Sequence, residues 1–250
     1  MKLPELSLLD LVLPKACLLC EATGAHCCQR CCDLIARPIA QLYCTGCGLS
    51  KQCECTSPHW HVDRSLVFGN YQSPIDKLIT GIKFHNRISD AAVLGQLLGR
   101  AIAVQFTPRS DKLVSPERFQ IVPVPLSHAR LRERGFNQAE RIATSVYRHL
   151  RRHWPEQTIS INRSLLVRHS SGSAQSLLTR PERLSNLDHT YAMAATSKMP
   201  LPAMVMLIDD VMTTGATINS CALALKQAGV KTVWAAVVAR TQGGRNHYHQ

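Results

Sequence analysis

Ten of the eleven cysteines lie between Cys17 and Cys55, and no other feature constrains the fold of this chain as tightly. They come as Cys17-Leu-Leu-Cys20, Cys28-Gln-Arg-Cys31 and Cys44-Thr-Gly-Cys47-Gly48, followed by Cys53 and Cys55. A C-x-x-C turn points two thiolates at one tetrahedral ion, and a glycine after the second cysteine permits the left-handed backbone that aims N–H groups at sulfur. Three such pairs favour zinc over disulfides or a reduced thiol core, because nothing in the sequence suggests export and the cytosol keeps thiols reduced. At four thiolates per ion, Cys17, Cys20, Cys28, Cys31, Cys44, Cys47, Cys53 and Cys55 make two structural Zn²⁺ sites and leave two cysteines spare. Cys53-Glu-Cys55 is one residue short of C-x-x-C, so Cys27, Cys32, His59 and His61 stay open as substitute ligands. Which cysteines share an ion is open as well.

Charge divides the chain at the same place. Residues 1–60 hold five basic and five acidic side chains, so the net charge of +12 lies wholly in residues 61–250. Residues 130–183, with eleven Arg and four Glu, supply seven of those charges. The expected organisation is a zinc-binding double ribbon over 1–60 and a second domain over 61–250. A basic excess of this size favours a polyanionic partner, and we expect residues 61–250 to carry a nucleic-acid surface. With 3 Trp, 5 Tyr and 5 Phe in the chain, contacts should be to the backbone rather than by base stacking, and Arg148, Arg151 and Arg152 are the candidates.

No apolar run approaches the roughly 20 residues that a membrane helix needs. The N-terminal stretch carries Pro4, Glu5, Asp10 and Pro14 where a signal peptide would be uninterruptedly apolar. The expectation is a cytoplasmic protein without membrane insertion.

From about residue 62 the pattern is that of an α/β domain. Ile88 to Phe106 reads as a helix capped by Ser89, with Ala92, Leu94, Leu97, Leu98, Ile102 and Val104 on its apolar side. Phe119–Leu126 reads as a strand and Asn137–Leu150 as a helix. Met204–Ile208 reads as a strand, Ala216–Ala228 as a helix stopped by Gly229, and Thr232–Ala239 as a further strand. Strands alternating with helices predict a parallel sheet covered on both faces.

The chemistry concentrates in Val205-Met-Leu-Ile-Asp-Asp-Val-Met-Thr-Thr-Gly-Ala-Thr217. An apolar strand delivers Asp209 and Asp210 to its carboxyl end, where open α/β sheets bind ligands. Thr213, Thr214 and Thr217 offer hydroxyls, and Gly215 lets a phosphate approach the backbone. From Ala216 on, the free N–H groups and dipole of a helix N-terminus favour an anion. Adjacent carboxylates suit the vicinal hydroxyls of a ribose, directly or through Mg²⁺. A phosphorylated sugar matches both halves, and the spacing of a Walker loop is absent.

This strand, two acids and TTG loop resemble the type I phosphoribosyltransferases, which hold phosphoribosyl pyrophosphate (PRPP) there. The resemblance is closer to the ComF/GntX family of competence-related, phosphoribosyltransferase-like proteins with an N-terminal double zinc ribbon. It rests on the paired cysteines, Ile82-Lys-Phe84 after Leu78-Ile-Thr-Gly81, Val122-Pro-Val-Pro125, Arg134-Gly-Phe-Asn-Gln138, Gln175 with Leu178, Arg183 and Asn186, and the Asp-Asp…Thr-Thr-Gly loop. The compressed Cys53/Cys55 pair departs from the family pattern.

The resemblance implies a phosphoribosyltransferase-like sheet domain behind a zinc ribbon. It further implies a protein of DNA uptake and natural transformation that binds PRPP, or a nucleotide-like group, with Mg²⁺, and single-stranded DNA. Other DNA-uptake proteins are implied partners. Arg130 and Arg134 would lie where related transferases grip pyrophosphate, since guanidinium forks fit phosphate oxygens two at a time, and Lys83 is a further candidate for that anion. Phe136 reads as a core residue and Asn137 as a helix cap. Residues 169–176 read as a lid or a linker. Two other functions stay open: a phosphoribosyltransferase enzyme with an unnamed acceptor, since no base-binding hood is recognisable, and a zinc-ribbon scaffold for competence proteins.

Overall fold

The computed structural model describes residues 16, 17, 20–24, 28, 30, 31, 41–43, 60–106, 118–169, 190–194 and 201–241. Its centre is a six-stranded sheet. In chain order the elements are β1 (Gln41–Tyr43), β2 (Arg64–Asn70), α1 (Ile75–Phe84), α2 (Ile88–Gln105), β3 (Arg118–Pro123), α3 (His128–Arg134), α4 (Gln138–His153) and β4 (Thr158–Ile161). There follow β5 (Leu166–Arg168), β6 (Tyr191–Met193), β7 (Met204–Met212), α5 (Ala216–Gln227) and β8 (Thr232–Arg240). The strand order is β1-β2-β8-β7-β3-β4. Five strands run parallel, and β1 pairs antiparallel with β2 at one edge. β5 and β6 form a separate antiparallel pair.

The expected α/β architecture is therefore present, and the period-2 geometry of a strand explains how it packs. On β7, Met204, Met206 and Ile208 face a core filled from α1, α2 and α4 by residues such as Ile79, Leu98 and Ile142. Val205 and Leu207 face the opposite core, filled by Ile218 and Leu225 of α5. On β8, Trp234, Ala236 and Val238 join the first core and Val233, Ala235 and Val237 the second. A strand buried on both faces needs a continuous apolar run, which β7 and β8 have. The α2–α4 contact is close because a Cβ on Gly95 would stand 2.5 Å from the Ile142 carbonyl, and Ser145 Oγ donates to the Ala92 carbonyl at 2.8 Å.

Some local expectations are corrected. Ser89 does not cap α2: the N-cap is Arg87, and Ser89 Oγ donates to Asp90 Oδ1 from inside the first turn. Ala92 and Val104 are exposed, and Ala91 and Val93 take the buried positions, because α4 covers a wider stripe of α2 than the period alone indicates. β3 ends at Pro123, since Pro125 has no N–H to continue a ladder. β7 runs on through both aspartates to Met212, held by β8 alongside. Asn137 caps α4 as expected, accepting from the Ala139 N–H at 3.0 Å. Phe136 is buried as expected. Among the described residues no helix is long and apolar enough to cross a membrane.

Candidate sugar-phosphate site and cysteine centre

The sheet reverses its winding between β3 and β7. After β3 the chain passes through α3 and α4 to β4 on one side, whereas β7, on the other side of β3, hands on to α5 across the opposite face. At such a switch point the carboxyl ends of two strands diverge and leave a crevice. Val122-Pro-Val-Pro125 leads into it from β3, and Asp209 and Asp210 stand in it from β7.

The two aspartates are successive strand residues, so they point to opposite faces. Asp210 turns toward α1 and is almost buried, with its Oδ2 2.6 Å from Lys83 Nζ. The ammonium sits off hydrogen-bonding alignment, so the contact is an ion pair. Asp209 is half-buried on the α5 side and accepts the Asp210 N–H at 2.8 Å. Burial first, and the adjacent Asp210 charge second, push its carboxyl well above the usual carboxylate range. Cys221 lies buried on that side, its thiol pushed up by burial and then by Asp209.

Gly215, at φ +81°, is the N-cap of α5 and gives no side chain to the first turn. Thr214 Oγ1 accepts the Ala216 N–H at 3.3 Å, and Thr213, Thr214 and Thr217 are exposed around the turn. The loop thus assembles hydroxyls and helix N–H groups beside the acids.

On the other bank, Arg130 is exposed on α3, its N–H bound to the Ser127 cap. Arg134 is half-buried, its guanidinium 5.9 Å from the Phe84 ring centroid. Among the described residues its buried Nε and Nη1 find no hydrogen-bond partner, which is costly unless an anion completes them. Gly135, at φ +76°, ends α3. Arg148, Arg151 and Arg152 stand exposed at the other end of α4. Because α4 joins two parallel strands it runs against them, so Arg152 lies about 21 Å from Gln138, at 1.5 Å per residue. His149 and His153 stack there at 5.9 Å, and burial first, then the charges of His153, Arg100 and Arg152, lower the His149 pKa.

Sequence reasoning missed two aromatic residues. Tyr191 of β6 is buried, which pushes its hydroxyl up to about 12, with the Arg168 guanidinium 5.5 Å from its ring. Trp60 lies against Gly215. Neither has a local spacing that marks it, because both reach the loop through tertiary packing.

Separate from the crevice, Cys17, Cys20, Cys28 and Cys31 bring four sulfurs within 4.8 Å of one another. Sulfurs on a tetrahedral zinc at ~2.3 Å stand about 3.8 Å apart, and Cys20 Sγ and Cys28 Sγ are at 3.6 Å. The Cys28 N–H donates to Cys17 Sγ at 3.4 Å, and Gly24, at φ +114°, turns the chain directly after the Ala16–Thr23 bridge. The set fits one zinc ion. Cys44, Cys47, Cys53, Cys55, Cys27, Cys32 and His59 lie outside the described residues, as do 170–176, Gln175, Leu178, Arg183 and Asn186. His61 is not part of this cluster; its N–H donates to Asn219 Oδ1.

Fold and site define a doubly wound α/β protein with an acidic, threonine-rich loop at its switch point and a four-cysteine centre near its N-terminus. No family model matches the chain. It is 33% identical over 200 residues to competence protein F of Haemophilus influenzae Rd, covering 76% of this chain and 81% of that protein. It is 30% identical over 242 residues to DNA utilization protein YhgH of Salmonella typhimurium LT2, covering 92% and 99%. Competence protein ComFC of Streptococcus pneumoniae R6 is 31% identical over 140 residues, 56% of this chain and 55% of that one. The chain belongs to the ComF family.

Proposed function

We propose that this protein serves DNA uptake by binding PRPP, or a related phosphoribosyl or nucleotide-like group, in the β3–β7 crevice, and single-stranded DNA on its basic surface. The relatives' names, which speak of competence and DNA utilization, support the first half. The observation that carries the ligand is the pairing of Asp209 and Asp210 with the side-chain-free N-cap at Gly215, acids for sugar hydroxyls beside donors for a phosphate. Lys83, Arg130 and Arg134 line the bank where a pyrophosphate would lie, and Mg²⁺ would accompany it at the carboxylates. Thr213, Thr214, Ala216 and Thr217 complete the 5′-phosphate cradle. In this reading residues 1–60 form a structural module with two zinc ions, and residues 61–250 form the ligand domain. Transfer to an acceptor, or docking of other DNA-uptake proteins to the ribbon, would build on the same parts.

Calorimetry with PRPP and Mg²⁺ tests the site. The wild-type chain should bind, and Asp209→Asn with Asp210→Asn should abolish binding while circular dichroism stays native. Unchanged affinity in the double variant would refute the assignment.

A further inference from the structure

The residues that lead into β2 lie along α5, from its first turn to its last. A Cβ built on Gly215 would stand 3.0 Å from Trp60 Cη2 and 3.5 Å from Cζ3. One residue on, the His61 N–H donates to Asn219 Oδ1 at 2.8 Å. Val62 is buried in the core beneath α5. Asp63 Oδ2 accepts from Lys226 Nζ at 2.7 Å, near the helix C-terminus, and from the Val233 N–H at 2.6 Å. Residues 60–63 thus form a strap whose first side chain closes one face of the loop glycine, with Met212 Sδ 3.5 Å from the same Cβ position.

We propose that Trp60 is a positioning residue of the phosphate loop, and that it links the cysteine-rich segment to that loop. This rests on the phosphate-loop reading above. A glycine at φ +81° surrounded by water samples both signs of φ. A half-buried indole packed on it removes that freedom and holds the α5 N–H groups converged, which lowers the ordering that anion binding otherwise requires. Trp60 follows Cys55 by five residues, and in this proposal a displacement of the cysteine-rich segment is passed to Gly215 through the indole. A partner or metal acting there would change anion affinity without touching the anion, by favouring one loop conformer.

The probe is ribose 5-phosphate, titrated into the full-length chain. Trp60→Ala should weaken its binding roughly five- to tenfold, within the usual range of coupling between sites. Trp60→Phe should restore most of the affinity, which a loss of global stability would not predict. Trp154 packs edge-on to Phe119 and Trp234 stacks on Phe106 in the core, so an emission change on saturation that is present in wild type and absent from Trp60→Phe belongs to Trp60. That titration decides the matter even where Trp60→Ala fails to fold. Wild-type protein that binds no ribose 5-phosphate removes the loop reading and this proposal together. Wild-type protein that binds while Trp60→Ala binds equally, or while Trp60 emission is unmoved, overturns the proposal alone.

Discussion

Replacing Lys83 by Met should destabilise the sheet domain far more than replacing Asp210 by Asn, although the two residues form one ion pair. Lys83 Nζ and Asp210 Oδ2 are 2.6 Å apart, with side-chain exposures of 19% and 7%. At an effective dielectric near 20, the Coulomb attraction at that distance is about 6 kcal/mol, and desolvation of both charges offsets most of it. The net worth of the pair is therefore small, but the consequence of breaking it depends on which charge remains. Lys83→Met leaves a carboxylate in the crevice with the Asp209 carboxyl next to it, a situation worth roughly 3–5 kcal/mol of destabilisation. Asp210→Asn leaves an ammonium on a four-carbon stem that already reaches solvent, and about 1 kcal/mol is expected.

The double variant should sit close to Asp210→Asn alone, so a double-mutant cycle should return a coupling of about 3–5 kcal/mol. For a chain of this size 1 kcal/mol moves Tm by about 2–4 °C, so Lys83→Met should lower Tm by roughly 6–20 °C and Asp210→Asn by a few degrees. Thermal unfolding of the four proteins at pH 7 measures this. Equal losses for the two single variants, adding in the double, would show that the crevice screens both charges as open water does.

The other expectations concern titration, metal and surface charge. Burial raises the Asp209 carboxyl, so the folded state favours its protonated form; that contribution is complete below the ordinary carboxylate pKa and is lost as pH rises through the folded value. Asp209→Asn, always neutral, should therefore gain Tm relative to wild type between pH 4 and pH 8, and parallel Tm curves would contradict the cause given. Protein expressed with ample metal should hold at least one zinc per chain, and Cys17→Ser with Cys20→Ser should lose one equivalent by elemental analysis, with faster proteolysis near the N-terminus. Arg148, Arg151 and Arg152, all replaced by Ala, should reduce the salt slope of single-stranded DNA binding by about 2, at ~0.7 per phosphate contact, with PRPP affinity unchanged. An unaltered slope would leave these arginines as solubilising charges at a helix end.

What the sequence carried well is what local chemistry determines. The four sulfurs of Cys17, Cys20, Cys28 and Cys31 converge because C-x-x-C is a turn geometry, readable without any distant contact. β7 and β8 were legible because strands buried on both faces must be apolar throughout. The Gly215 turn was legible because only glycine takes that φ at ease. The misplaced features depend on neighbours far along the chain. Ser89 has the composition of a cap, but the chain enters α2 two residues too early for it to act as one. Ala92 and Val104 fit a helical period whose phase is set by how α4 sits on α2. Trp60 and Tyr191 reach the loop over long stretches of sequence that no period encodes.

The aspartates show most clearly where reading along the chain falls short. Adjacent in sequence, they suggest one bidentate acidic unit for a pair of sugar hydroxyls. Period-2 geometry separates them, and the surroundings then make them chemically unlike. Asp210 meets the Lys83 ammonium on the α1 face and has a counter-charge at 2.6 Å. Asp209 meets Cys221 and Tyr191 on the α5 face, where burial favours its proton. Two carboxyls in such different fields are suited to different parts, one as a charged acceptor already engaged by a cation and one as a group that can donate as well as accept. Their division follows from the strand alternation alone, but which of the two meets a counter-charge required α1 and α5 to be in place.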